Sequence, residues 1–471
     1  MRFSLRFRWI IWLFASTPLL VWGQQGYEAS WRAGLSAQQQ NPASATASPY
    51  RKEIMFGGLS LAASNNLFST NVPTQFVPSL LVQQLGMGVR GLPYLTNLRG
   101  LDGPAANEGP WNASHQTTIM GPGASWRLKT DPDWVERGLS RRVFSLRLER
   151  HEMSQINDLD ASLIQPVLHG LSSDSANWEN QSFQLSHREW DALAGGFGLS
   201  WGRGNHLVHL GLETKLLSAG SFMEANVHAL SADQEADRQL LISADSIQLR
   251  YNPSFAEASR PGGQSRWGDF EYSFGYEVAI GLIYQHINYN REPKLEIGAS
   301  VQGIGHLQYW NLTSSRYQLD KEILAPEELD AFTLGAEQAN LLLQRLDSNA
   351  QLGVNGQRVN LPLRITSHAK YRLSDKWGIQ VRADAIQLNP REWETFLRAT
   401  LCWEKGKWGF FVPVSASSQA DPAVGAYLSI GEVLVLGSND LLTNLVTSAN
   451  RQGVTHTHFF AAFRIPLQKE Y

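Results

Sequence analysis

Two neighbouring segments decide the fold: residues 276–286 read YEVAIGLIYQH, and residues 295–306 read LEIGASVQGIGH. In both, apolar side chains occupy every second position, and polar or small side chains occupy the positions between them. A period of two predicts a strand with one apolar and one mixed face. The pattern recurs along the chain in segments of about ten residues, the length that a tilted strand needs to cross a bilayer. The sequence therefore predicts an all-β fold, a transmembrane antiparallel β-barrel of about 14–16 strands with long outer loops.

The composition agrees with a membrane barrel and excludes one class of partner. Only 18% of the 471 residues are charged, while the chain has 16 Trp, 13 Tyr and 40 Gly. Aromatic girdles at the membrane interface and glycine-rich curved strands both raise these counts. A net charge of −3 lacks the basic footprint of a nucleic-acid binder. We expect the outer-membrane lipid bilayer as the surroundings and no nucleic acid as a partner.

The N-terminus predicts export. Arg2, Arg6 and Arg8 precede an apolar run over residues 9–21, which indicates a signal peptide over residues 1–23 that is cleaved before Gln24. An uncleaved anchor helix is the alternative, although the apolar run is short for a span. The expected location is the outer membrane of a Gram-negative bacterium.

The mature chain divides into an N-terminal segment, residues 24–51, and a barrel, residues 52–471. The first contains Asn41-Pro42-Ala43, and because its proline cannot join a strand ladder, the segment is irregular. It is predicted to be a periplasmic lead-in or a plug inside the barrel.

Turns and insertions predict the orientation. Short turns near Ser374 and Glu404 belong at the periplasmic rim, whereas the long polar insertions at residues 231–269 and 311–360 belong outside. Residues 326–346 in the second insertion have the pattern of an amphipathic helix, either a lid or a surface loop. Counting strands back from a periplasmic C-terminus puts the short turn at residues 202–205 on the outer side, against this rule, so we expect the strand count in the first half of the chain to be off by one or more.

The alternation also predicts which side chains face the lumen. Those with chemical interest are Glu277, Glu296, Arg364, His368, Lys370, Arg382, Asp384 and Arg398. A basic lining could attract anionic solutes. The alternative is a packed interior, in which Arg382, Arg398 and Lys370 pair with carboxylates such as Asp384, Glu277, Glu296 and Glu149. We favour the packed interior, because a barrel of this size needs internal polar packing whether or not it conducts.

The sequence offers no chemistry of catalysis. Cys402 is the only cysteine, no nucleophile elbow or phosphate loop is present, and the pair His456 and His458 lacks an evident third ligand for a metal. We therefore expect no enzyme, no metal and no cofactor. An interfacial girdle is predicted for the aromatic residues near strand ends: Trp201, Tyr284, Trp310, Trp377, Trp403 and Trp408.

Several short motifs carry a family resemblance: Asn41-Pro42-Ala43, LGLETK at residues 210–215 and LGSNDLL at residues 436–442. With them the chain resembles an uncharacterised Bacteroidota outer-membrane barrel family that bears domain of unknown function 5723 and is similar to the PorP/SprF group. The Asn-Pro-Ala element is also similar to one in long-chain fatty-acid transporter barrels. The resemblance implies location and fold and, through the PorP/SprF group, a link to type IX secretion, gliding or surface attachment. It implies no catalytic residue.

Two functions from different classes follow. The first is an integral outer-membrane barrel with a structural, surface-anchoring or partner-binding role, whose partner is a surface or periplasmic protein. The alternative is an outer-membrane transporter or channel for hydrophobic or anionic small molecules.

Overall fold

The structure is a computed structural model of the 471-residue chain. It describes residues 29–65, 111–128, 140–159, 178–234, 240–252, 273–288, 292–324, 344–345, 351–389, 392–417, 422–431, 433–443 and 456–469. The predicted signal peptide and most of the predicted helix at residues 326–346 lie outside these ranges. No helix within them is long and apolar enough to span a membrane.

Two helical turns, Gly34–Ala37 and Ser44–Ala47, precede the strands. The strand segments are β1 Tyr50–Asn65, β2 Trp111–Arg127, β3 Ser140–Leu159, β4 Trp178–Arg203, β5 His206–Gln234, β6 Leu240–Tyr251, β7 Ser273–Ile287, β8 Pro293–Leu324, β9 Gln351–Asn360, β10 Arg364–Arg372, β11 Trp377–Asn389, β12 Glu392–Lys405, β13 Trp408–Ser417, β14 Ala423–Val424, β15 Ala426–Ile430, β16 Leu434–Ser438 and β17 His456–Lys469.

These segments close into one antiparallel barrel. Neighbours in sequence pair with each other around the sheet, and β1 pairs with both β2 and β17, which leaves no open seam. Three wall strands are each built from two segments: β6 with β7, β9 with β10, and β14 with β15. The wall therefore has 14 strands, within the predicted range.

The two faces of the wall confirm the transmembrane barrel. On β5, Leu210 and Leu212 are exposed by 37% and 42%, while His209 and Glu213, which alternate with them along the strand, are buried. A soluble protein would bury the apolar row instead, so this wall is built to face lipid. Exposed tryptophans lie toward both ends of the wall strands, for example Trp377 and Trp408 beside short turns and Trp310 at the other end.

The short turns lie together at one rim, where β17 ends beside the start of β1. Two of them contain Gly204 and Gly406, whose φ angles of +58° and +60° suit glycine. The turn at residues 202–205 also lies at this rim, so the strand count in the first half of the chain is off, as the conflict of this turn with the rule indicates. Because β6 and β7 run in the same direction against β5, the insertion between them interrupts one strand rather than joining two, which shifts the count by one.

The predicted outer insertions are partly strand rather than loop. β4, β5 and β8 contain 26, 29 and 32 residues, far more than the ~10 that cross a bilayer. Their outer parts form a continuous sheet beyond the barrel together with β6 and β9. We call this the projecting sheet: residues 178–189, 221–234, 240–251, 311–324 and 351–360.

Candidate functional site

The N-terminal segment lies inside the barrel. Between residues 29 and 48, most side chains are buried, and Leu35 is completely inaccessible. Ala29, Ala33 and Leu35 pack into one apolar cluster with wall residues that include Cys402 and Phe411. We call residues 29–49 the plug.

The Asn41-Pro42-Ala43 turn rests on wall positions that have almost no side chain. Pairing aligns Gly198, Gly211 and Gly281 on three neighbouring strands, and we call these three residues the glycine row. A Cβ atom added at Gly211 would lie 2.3 Å from the Pro42 carbonyl carbon and the Ala43 nitrogen, and one at Gly281 would lie 1.9 Å from Asn41 Oδ1. The plug backbone therefore docks where only glycine leaves room.

The row continues with hydroxyl groups that bind the plug. Gly281 pairs with Ser300, which in turn pairs with Thr366. Ser300 Oγ donates a hydrogen bond to Gln40 O at 2.8 Å, and Thr366 Oγ1 donates to the same oxygen at 3.3 Å. Asn41 Nδ2 donates to Ala299 O at 3.2 Å. Polar wall groups thus satisfy the backbone of the turn, as a buried irregular segment requires.

The side chains of three consecutive glutamines in the plug contact three different parts of the wall. Gln38 Nε2 donates to Ser145 Oγ at 2.6 Å, and Gln39 Nε2 donates to Glu149 Oε1 at 3.0 Å. The acceptor Gln40 Oε1 receives hydrogen bonds from Arg364 Nη2 at 2.6 Å and from Arg382 Nη2 at 2.5 Å.

A fully buried ion pair holds the plug near the rim of short turns. Arg464 Nη1 lies 2.5 Å from Glu53 Oε1 and donates to Ala33 O at 2.6 Å, while Leu35 N donates to Glu53 Oε2 at 2.8 Å. Gly34 between them has a φ of +53°, and a Cβ atom there would lie 2.3 Å from Glu53 Oε2. The first helical turn of the plug is thereby joined to β1 and β17.

The structure places the predicted lumen residues on the buried side of the wall, where most of them join compact ion-pair groups. Lys370 Nζ and His368 Nε2 lie 3.0 Å and 3.1 Å from Glu296 Oε1. Arg382 Nε lies 2.7 Å from Asp384 Oδ2, and Arg364 Nη2 lies 3.6 Å from Asp384 Oδ1.

Arg398 and Glu277 complete the predicted set. Arg398 lies directly opposite Arg382 in the β11 and β12 ladder. Glu277 was expected to pair with later strands, but its carboxylate lies 3.1 Å from Lys215 Nζ on the earlier strand β5.

Of the largest charged group in the described part of the chain, sequence reasoning named Glu149 and Glu277 but missed Arg147, Glu213 and Lys215. Arg147 Nη1 lies 2.7 Å from Glu213 Oε2, and Lys215 Nζ lies 3.2 Å from Glu149 Oε2. These four side chains are at most 8% exposed. The period of two along β5 puts Glu213 and Lys215 on the side opposite Leu210 and Leu212, so the same alternation could have found them. Buried charges in this number persist only when they are paired, as these are.

Beyond this charged layer the lumen becomes apolar. Leu217, Phe222, Leu307 and Tyr309 are at most 1% exposed, and they pack with Trp190 into one cluster. The ring centroids of Phe222 and Tyr309 are 4.6 Å apart. Along β5 from the glycine row, the lumen is therefore filled first by the plug, then by the ion pairs and then by apolar side chains. Among the residues that the structure describes, no group of three His, Cys, Asp or Glu side chains could hold a metal ion.

This architecture can be compared with known proteins. Residues 42–438 match the family of unknown function DUF5723. The chain belongs to this family. The match begins at Pro42, so it includes Pro42 and Ala43 of the docked turn. No curated protein matches the chain.

Solved structures are also among the matches to this chain. A TodX monoaromatic hydrocarbon channel variant is 10% identical, with 92% of this chain and 94% of that chain covered and a TM-score of 0.45. The translocator domain of the autotransporter NalP from Neisseria meningitidis is 9% identical, with coverage of 92% and 95% and a TM-score of 0.31. A Pseudomonas aeruginosa FadL homologue is 11% identical, with coverage of 95% and 97% and a TM-score of 0.22.

Proposed function

We propose that this DUF5723 protein is a closed outer-membrane barrel that binds a protein partner outside the cell and serves a structural or surface-anchoring role. One observation carries the proposal: the lumen holds a docked plug, while part of the wall continues far beyond the membrane as the projecting sheet. Neither catalysis nor a cofactor is part of the proposal.

The buried charges around the plug argue against a freely open lumen. Moving the plug out would break the hydrogen bonds of Ala33 and Leu35 with the ion pair of Arg464 and Glu53. It would also break the hydrogen bonds that Gln40 accepts from Arg364 and Arg382. Hydrogen bonds to charged groups are worth about 1.5–3 kcal/mol each, so these contacts together favour the docked state strongly. A resting pore through this side of the lumen is therefore not expected.

The projecting sheet offers a surface that a membrane wall alone does not need. From Trp310 to Leu324, β8 continues for roughly 45 Å at the usual rise of a strand. Along this part, exposed Arg316, Gln318 and Asp320 alternate with buried side chains, so one face of the sheet is polar and open to water. Such a face suits recognition of a protein, because polar groups there can specify a partner.

The resemblance to the PorP/SprF group suggests which machinery supplies the partner. We propose a surface component of type IX secretion, gliding or surface attachment. This part of the proposal rests on the resemblance alone, and the capture experiment below addresses it directly through the identity of the partner.

The experiment is affinity capture of the full-length protein from outer membranes of the producing bacterium. His228, Arg316 and Gln318 on the polar face are replaced together by alanine. The control replaces Arg203 and Lys376, exposed residues of the opposite rim. We expect the first variant to lose its partner and the control to retain it. Equal recovery from both variants would remove the polar face from the proposal.

A second function, transport, is favoured by the apolar luminal cluster around Phe222 and Tyr309 and by the basic luminal residues. Planar-bilayer recordings of the full chain test its anion version, with Arg364, Arg382 and Arg398 changed to neutral residues. We expect no steady current from either protein. A current that these three substitutions reduce would instead support an anion channel.

A further inference from the structure

Within the described part of the chain, strand β9 has one edge without a strand partner at the outer surface. On one side it pairs with residues 306–316 of β8, and among the described residues no strand pairs with its other side. The next wall strands stop short of it: Gln387 N near the end of β11 donates to Leu363 O at 2.8 Å, beyond the last residue of β9. The backbone groups that point away from β8 therefore have no strand partner among the described residues.

The exposure of β9 agrees with an open edge. Gly356 is exposed, and a glycine can expose only backbone. Val354 is 70% exposed, more than any other large apolar side chain that the structure describes. Natural edges are usually protected by lysine, proline or short length, whereas this ten-residue strand reads QLGVNGQRVN, with one charge and no proline.

We propose that β9 receives an extended segment of a different protein, which adds to the projecting sheet as one further strand. The inference rests on the proposed partner-binding function and states how and where the partner binds. Strand addition supplies affinity through backbone hydrogen bonds and selects its ligand through alternate side chains.

The orientation of the membrane excludes a second copy of this chain as the occupant. Two copies in one membrane are related by a two-fold axis along the membrane normal, so both barrels stay upright. Antiparallel pairing of two β9 edges would require one barrel to be inverted. In a symmetric parallel pairing, N–H groups would face N–H groups, which forms no ladder.

The side chains of β9 define the chemistry of the added strand. Val354 and Arg358 lie on one face of the strand, four residues apart, and both are exposed. Residues directly opposite each other on neighbouring strands interact, and unlike charges or apolar pairs are favourable there. The segment should therefore carry an apolar residue opposite Val354 and an acidic residue opposite Arg358, also four residues apart.

Thiol labelling tests whether the edge is occupied. Because the native Cys402 is buried, a Val354→Cys variant reports on β9, and Arg316→Cys reports on the polar face of β8. Both are treated with a membrane-impermeant maleimide, on intact cells of the producing bacterium and as purified full-length protein. An edge occupied about nine-tenths of the time should react about tenfold more slowly in cells.

The pattern of protection separates the inference from the proposed function. Slow labelling at position 354 in cells supports strand addition. Slow labelling at position 316 alone would overturn strand addition but keep partner binding. Equal rates in cells and in purified protein at both positions would overturn strand addition and the proposed partner binding.

Photo-cross-linking then tests the strand geometry. A photoreactive amino acid is placed at Leu352, Val354 or Gly356 in turn. For each move of two residues along β9, the cross-linked position on the partner should also move by two residues. Cross-links to this chain's own residues, or cross-links without that progression, would overturn the inference. Arg358→Glu should abolish the capture at position 354, while Arg358→Lys should retain it, because only the second keeps the positive charge opposite the acidic residue.

Discussion

Replacing Gly211 by alanine should loosen the plug. The new Cβ atom would lie 2.3 Å from the Pro42 carbonyl carbon and the Ala43 nitrogen, where ordinary contacts begin at 3.4 Å. Both atoms belong to backbone, so neither can rotate away. The Asn41-Pro42-Ala43 turn must therefore move by about 1 Å, a displacement of the kind that makes overpacked interiors unfavourable.

A shift of about 1 Å is large enough to break hydrogen bonds of the turn. Ser300 Oγ to Gln40 O measures 2.8 Å, and Asn41 Nδ2 to Ala299 O measures 3.2 Å, so a lengthening of about 1 Å ends both. The bonds from Arg364 and Arg382 to Gln40 weaken with them. At about 0.5–1.5 kcal/mol for each lost bond, the docked state loses roughly 3 kcal/mol. Because 1.4 kcal/mol is a factor of ten, the undocked population rises about 100-fold.

The native cysteine provides the assay. Cys402 is 3% exposed, and its Sγ lies 3.8 Å from Ala29 O of the plug, so a thiol reagent should reach it mainly when the plug undocks. The labelling rate of the folded full-length protein should rise about 100-fold in Gly211→Ala. Gly195→Ala is the matched control, because a Cβ atom there meets only Thr214 O at 4.0 Å. Equal labelling rates in the two variants would refute docking on the glycine row.

Three further predictions concern the plug and the wall. Arg464→Met should lower stability by about 3–5 kcal/mol, because Glu53 is left charged and buried. The measurement is the midpoint of heat-modifiable migration. Adding Glu53→Gln should restore part of the lost stability, and no restoration would count against the ion pair. Gln40→Ala should speed Cys402 labelling about tenfold or more, since the plug loses two hydrogen bonds from guanidinium groups. A smaller effect is expected for Gln39→Ala, which ends one bond. Leu212→Arg should cost about 2–4 kcal/mol in folding into lipid vesicles, and a neutral result would contradict a lipid-facing β5.

The period of two made the barrel predictable. In residues 276–286 and 295–306, the alternation alone gives a strand, the apolar row that faces lipid, and the inward side of Glu277 and Glu296. The same rule predicts an inward side for Arg382 and Asp384, whose side chains are at most 5% exposed. It works because a slip of one residue would move every side chain of a strand to the other face, so the pattern of a single strand fixes its faces without knowledge of its neighbours.

The partners of those side chains depended on the tertiary structure. Glu277 pairs with Lys215 rather than with a later strand, and that choice follows from the register between β5 and β7. The strand count likewise turned on whether the insertion before β7 joins two strands or interrupts one. Both are matters of hydrogen bonding between segments distant in sequence, about which the local alternation carries no information.

The glycine row shows the same division most plainly. Local sequence determined that the strands containing Gly198, Gly211 and Gly281 cross the membrane and that Asn41-Pro42-Ala43 cannot be part of a strand. Only the closed barrel brought the three glycines to one level and the plug against them. Side-chain alternation is a property of one strand, whereas a docking surface requires the register of several strands at once.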